Sequence, residues 1–174
     1  MWNYKKIAGI VLTICLLFFN VSVYSAYVKN GYSFSNPKNI VYEVSSTIGQ
    51  YGGILCTYTE KWEGEYGETE LVFNYGTEDN IYLYGNLSYD NGKYAVTYHT
   101  SDDHHSITFY KSFLNATELQ KKEVIVHEVG HTLGLAHCQT SRESYSVMRT
   151  LGFNGKPYPL EDDIDGIIDI YGGE

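Results

Sequence analysis

His127, His131 and His137 fall within the run His127-Glu128-Val129-Gly130-His131-Thr132-Leu133-Gly134-Leu135-Ala136-His137, which holds three of the chain's six histidines. Residues four apart share one face of a helix, so His127 and His131 can turn their imidazoles toward a single point. Gly134 then lets the backbone leave the helix, because glycine enters the left-handed region without a Cβ clash. That bend brings His137 round as a third nitrogen donor. Three neutral imidazoles leave the fourth position of a tetrahedral zinc ion for water, the arrangement of a catalytic rather than a structural site. Glu128 follows the first donor without being one, and its carboxylate is placed to act as a general base. Two histidines on a helix are commonly just polar surface. A glycine and a third histidine at these offsets raise the run above that reading.

The chemistry implied is hydrolysis. Zn2+ acts as a Lewis acid and lowers the pKa of water from about 15.7 toward 7. Glu128 accepts the proton as water attacks a peptide carbonyl, and returns it to the departing amine. The imidazoles bind metal only when neutral, so activity is expected to fall on the acid side.

The surrounding pattern supplies elements to hold such a site. Ile40, Tyr42 and Val44 alternate in a strand at 39–45. A helix is predicted over 46–62, weakened by Gly49, Gly52 and Gly53. Runs rich in Tyr, Val, Ile, Thr and Phe predict strands at 69–75, 81–85, 93–99 and 106–111. Thr117 with Gln120 forms a capping box for the histidine helix, buried through Leu119, Val124, Ile125, Val126, Val129 and Leu133. A last helix begins near Leu160, with Leu160, Ile164, Ile167, Ile168 and Tyr171 at helical spacing. Asp162 and Asp163 sit in its first turn, where negative charge suits the helix dipole.

Further residues carry a family resemblance. Ser146-Val147-Met148 follows His137 at the distance of a methionine turn, and the extended histidine motif plus that turn is the metzincin signature. Leu160-Glu161-Asp162-Asp163-Ile164-Asp165-Gly166-Ile167-Ile168-Asp169-Ile170-Tyr171-Gly172 resembles the closing helix of matrixin catalytic domains, and Asn39-Ile40-Val41-Tyr42-Glu43-Val44 their opening strand. Met148 is followed by Arg149 and Thr150, without the tyrosine ligand of astacins and serralysins. The chain therefore resembles a metzincin zinc metallopeptidase of the matrixin type. The resemblance implies an α+β metzincin-type zincin: a twisted mixed, mostly parallel sheet of about five strands, three helices, and an active-site cleft over the zinc helix. It implies a hydrophobic floor from Met148 and an extended substrate against the strand Lys93 to His99. The pocket walls it suggests are Val124, Leu151, Phe153 and Tyr158. It does not extend throughout. Cys138 stands where matrixins carry serine or threonine, no cysteine-switch segment is recognisable, and neither is the Gly- and Asp-rich structural-ion segment. One catalytic Zn2+ is expected, and structural zinc or calcium is not supported.

Length and composition frame the rest. The chain has 174 residues, suited to one domain. Lys5 and Lys6, the apolar run Ile7 to Phe19, and Ser25-Ala26 read as a signal peptide over 1–25, leaving a catalytic domain at 26–174. Localisation is then secreted, or membrane-anchored with an extracellular catalytic domain if Ile7 to Val23 stays uncleaved. The net charge of −9, two units more negative without Lys5 and Lys6, argues against nucleic acid or anionic membrane as partner. A monomer acting on protein or peptide substrates is expected. Cys56 and Cys138 are either a disulfide or two free thiols. His99, Asp102, Asp103, His104 and His105 form a second cluster whose spacing matches no established metal pattern, so a solvated acidic turn is expected there. The leading function is a secreted zinc endopeptidase. The alternative is a non-proteolytic zinc-containing binding or adhesin module on the same fold. Retention of Glu128 with all three histidines favours the enzyme.

Overall fold

The computed structural model describes residues 27–172, so the export segment read at 1–25 lies outside the described residues. In chain order the strands are β1 (Ile40–Val44), β2 (Gly64–Tyr66), β3 (Thr69–Leu71), β4 (Phe73–Tyr75), β5 (Ile81–Asn86), β6 (Ala95–Ser101) and β7 (His104–Tyr110). The α-helices are α1 (Gly52–Thr59), the short α2 (Lys111–Asn115), α3 (Glu118–Thr132) and α4 (Glu161–Tyr171). Five strands make one sheet in the order β4-β1-β5-β7-β6, and β2 with β3 forms a separate hairpin. β1 runs parallel to β4 and β5, and β5 parallel to β7; only β6, at the edge, is antiparallel. This is the expected α+β fold with its mostly parallel five-stranded sheet and three helices of more than a turn or two.

Alternation decides which face the sheet buries. Ile40 and Tyr42 of β1, Ile81 and Leu83 of β5, and Ile107 and Phe109 of β7 are fully buried. They pack in one core with Leu55 of α1 and Ile125, Val126 and Val129 of α3. Each such side chain contributes about 1.5–3 kcal/mol on burial. Trp62 ties the layers together, since its Nε1 donates to Val126 O at 2.9 Å from a fully buried position.

Three elements differ from the sequence expectation. The helix predicted over 46–62 is a 3-10 turn at Ser46–Tyr51, α1, and a second 3-10 turn at Glu60–Trp62, divided where Gly49 adopts φ 61° and ψ −130°. The strand predicted at 69–75 is split at Val72. Its first half pairs with β2 and its second with β1, because Val72 N donates to Pro37 O and Val72 O accepts from Ile40 N. In the last helix Ile167 and Tyr171 are buried as expected, but two other apolar positions are not. Ile164 and Ile168 are 37% and 40% exposed, whereas Asp162 and Asp163 are each 1% exposed. Leu119 is likewise exposed rather than core. Apolar periodicity marks the sides on which a helix can pack; it does not report a carboxylate such as that of Asp163, whose hydrogen bonds permit its burial.

Candidate metal centre and active-site cleft

α3 starts where the capping box predicts. Thr117 Oγ1 accepts from Gln120 N, and Gln120 Oε1 accepts from Thr117 N at 2.9 Å. The helix then carries His127 and His131 on one face and ends at Thr132. Gly134 follows with φ 100°, and a Cβ there would run into Tyr32 O. This turn brings His137 back, and one ring nitrogen from each of the three histidines lies within 4.8 Å of the others.

The donor chemistry fits zinc. His127 Nδ1 donates to Val147 O and His131 Nδ1 donates to Leu135 O, both at 2.8 Å. These bonds place the ring proton on Nδ1 and leave each Nε2 lone pair free for a metal. His127 Nε2 and His137 Nε2 are 3.3 Å apart. Two nitrogens each about 2.0–2.1 Å from a tetrahedral zinc would be separated by about 3.3–3.4 Å. Burial holds the pKa of both His127 and His131 at about 4, so both rings are neutral near pH 7.

Three sets of residues hold the donors in place. Met148 is buried beneath α3 against Gly130, where any Cβ would collide with Met148 Sδ and Trp62. The methionine turn is fixed by Asp163: its Oδ2 accepts from Val147 N and Leu160 N at 2.8 Å, and its Oδ1 accepts from Ser146 Oγ at 2.5 Å. Asp163 thus secures the residue whose carbonyl orients His127. An N-terminal strap secures the other ligand. Asn30 Nδ2 donates to His131 O at 2.8 Å and to Leu135 O at 3.2 Å, Asn30 N donates to Gly134 O, and Ala136 N donates to Val28 O.

The histidines open into a cleft of about 640 Å3 between α3, the edge strand β6 and the segment after Met148. Glu128, 8% exposed, lines it beside the triad. Gly92 to Thr97 form the β6 side, overlapping the strand expected to carry substrate. Val124, Leu151 and Phe153 line it too; Tyr158 does not, and is half exposed. The reason is Glu123, whose two carboxylate oxygens accept from Asn154 N at 2.7 Å and Gly155 N at 2.8 Å. The chain is clamped to α3 there and leaves the cleft wall before reaching Tyr158.

The remaining candidates sit elsewhere. Cys56 and Cys138 are both free thiols, which resolves the choice left open by the sequence. Burial raises the Cys138 thiol pKa, keeping it a neutral core group. His105 is not part of a solvated acidic turn. It is buried, its Nδ1 lies 2.9 Å from His99 Nδ1, and Tyr32 stacks on His99 at 4.1 Å. Asp103 accepts from Ser35 N and Ser35 Oγ at 2.7 Å, so the strap covers this pair. Among the described residues the triad is the one cluster that assembles as metal ligands. The strap, Asp163, Glu123 and Thr97, discussed below, were not singled out as site residues by the sequence. Their contacts span distant segments and leave no local pattern.

The sheet order, the histidine helix and the methionine turn beneath it define a metzincin-type fold. The chain belongs to the matrixin family, whose profile matches residues 19–172. No curated protein matches the chain in sequence. Among solved structures, that of myroilysin is similar with a TM-score of 0.60 at 12% identity, covering 85% of this chain and 99% of that one. A chain of the GM1-bound ECX AB5 holotoxin is similar with a TM-score of 0.55 at 15% identity, covering 82% of this chain and 85% of that one. At such identities the likeness is one of fold.

Proposed function

We propose that this chain is an exported, monomeric zinc endopeptidase that holds one catalytic ion on His127, His131 and His137 and uses Glu128 as general base. The observation that carries the reading is the convergence of three imidazole nitrogens beside a buried carboxylate in a cleft bounded by a free sheet edge. A zinc ion bound there supplies Lewis acidity to a carbonyl and to water. Among the described residues β6 has no strand on its outer edge, so an extended peptide can add there as a further strand and lie across the cleft. Glu128 accepts the proton of the attacking water on a carboxylate oxygen and passes it to the nitrogen of the leaving amine. Val147 O and Leu135 O keep His127 and His131 in the tautomer that presents Nε2. Val124, Leu151 and Phe153 give the pocket an apolar wall, which supports a preference for a hydrophobic side chain next to the scissile bond.

The test is cleavage of an unbiased peptide library by the purified protein and by Glu128→Gln, with zinc content measured in both. Cutting by the wild type, and a loss of about a hundred- to ten-thousandfold in the zinc-loaded variant, is expected. Zinc in both and cutting by neither would leave the binding-module alternative in its place.

A further inference from the structure

The carboxylate of Glu128 is held from the edge strand rather than from its own helix. Thr97 Oγ1 lies 2.7 Å from Glu128 Oε2 and 3.0 Å from Glu128 O. A threonine hydroxyl carries one hydrogen, and both of these oxygens accept. An ionised carboxylate takes that hydrogen in preference, because a charge-assisted bond is roughly twice as strong as a neutral one. Oε1 is left without a protein partner among the described residues, in the cleft beside the histidines.

Thr97 is half-buried and lines the cleft. Thr97 pairs with Ile107 across the β6–β7 ladder, and Ala95 pairs with Phe109, so Thr97 belongs to the helix-facing side of the sheet. Its neighbours toward Ala95 on that face, Ala95, Ile107 and Phe109, are buried and apolar, while the His99–His105 pair lies on the other side of Thr97. Valine has nearly the same shape, so filling this space does not require an oxygen. The oxygen has a definite task only toward Glu128.

We propose that Thr97 is a positioning residue for the general base. Its hydroxyl binds Oε2, fixes the carboxylate plane and leaves Oε1 as the oxygen that exchanges a proton with the reacting groups. Because Thr97 lies on β6, a peptide that pairs with the β6 edge settles against the strand that holds the base. This rests on the endopeptidase reading above.

The experiment compares Thr97→Val, Thr97→Ala and Thr97→Ser in the zinc-loaded protein, with crystal structures of the metal-free variants. Valine keeps the shape and serine keeps the hydroxyl; alanine removes the oxygen independently of how valine packs. The expected result is a kcat lowered about ten- to a hundredfold in Thr97→Val and Thr97→Ala, with KM and zinc content within about twofold of wild type. Thr97→Ser is expected to restore kcat to within about threefold. In the metal-free structures Glu128 should leave its position in the valine variant and keep it in the serine variant. A wild-type kcat in Thr97→Val, a serine variant as impaired as valine, or an unmoved Glu128 in Thr97→Val would each overturn the proposal. If the wild type cuts no peptide, the endopeptidase reading fails. The metal-free structures still decide whether Thr97 holds the carboxylate.

Discussion

Removing the Asp163 carboxylate should loosen both the fold and the metal site, by amounts that can be worked out. Asp163 is 1% exposed and accepts hydrogen bonds from Val147 N, Leu160 N and Ser146 Oγ. In Asp163→Ala the Ser146 hydroxyl can rotate toward another acceptor, but the two backbone N–H groups lose their partner. Each orphaned donor costs about 1–3 kcal/mol, so the variant should lose about 2–6 kcal/mol of stability. Asp163→Asn should lose less, about 1–2 kcal/mol. Its amide oxygen can still accept both N–H groups, while its NH2 meets a Ser146 Oγ that already accepts from Met148 N. Val147 O orients His127, so displacement of this turn should also weaken zinc binding by about ten- to a hundredfold in the alanine variant. Urea unfolding of the metal-free proteins gives the first quantity, and competition with a chelating dye gives the second. An alanine variant within about 0.5 kcal/mol of wild type, or an asparagine variant less stable than alanine, would refute the reasoning.

The remaining expectations concern Gly134 and pH. Gly134→Ala forces an L-residue to φ 100° and drives its Cβ into Tyr32 O. A left-handed conformation alone costs about 1–2 kcal/mol, and the backbone collision adds to it. A melting temperature lowered by less than about 2 °C would contradict this account. Burial holds His105, His127 and His131 at pKa values of about 4, below the 6.5 of an exposed imidazole. The unfolded chain therefore binds more protons than the folded one between those values. Stability of the metal-free protein should be full above about pH 6.5 and fall as pH drops toward 4. A denaturant midpoint that stays flat or rises across this window would contradict the burial of these rings.

The parts of the site legible in the sequence are those fixed by local geometry. The i,i+4 histidines, the glycine exit and the Thr117–Gln120 cap each depend on residues a few positions apart, and together they narrow the reading of the run. Strand alternation similarly located β1, β5, β6 and β7 to within a few residues. The hydrogen bonds that orient the ligands were not legible, because Asn30, Thr97 and Asp163 reach their partners across 101, 31 and 16 residues. Asp163 was read as a charge in the first turn that suits the helix dipole. That is the usual role of an aspartate in a first turn, and nothing next to it in sequence announces the buried N–H groups it receives. Val72 was invisible for a related reason: β propensity says that a residue is extended, not which of two sheets takes it.

The strap at the start of the described chain has a consequence for the order of assembly. Asn30 is among the first of these residues to be synthesised, yet its acceptors, the carbonyls of His131 and Leu135, are among the later ones. Closing so long a loop is entropically slow and gains nothing until its far end is in place. Two of the three supports of the ligand set, the strap and the Asp163 clamp, thus await residues 131–135 and 163. A chain synthesised only as far as the histidine helix lacks the Asp163 clamp, so the metal centre is organised after its own ligands have been made.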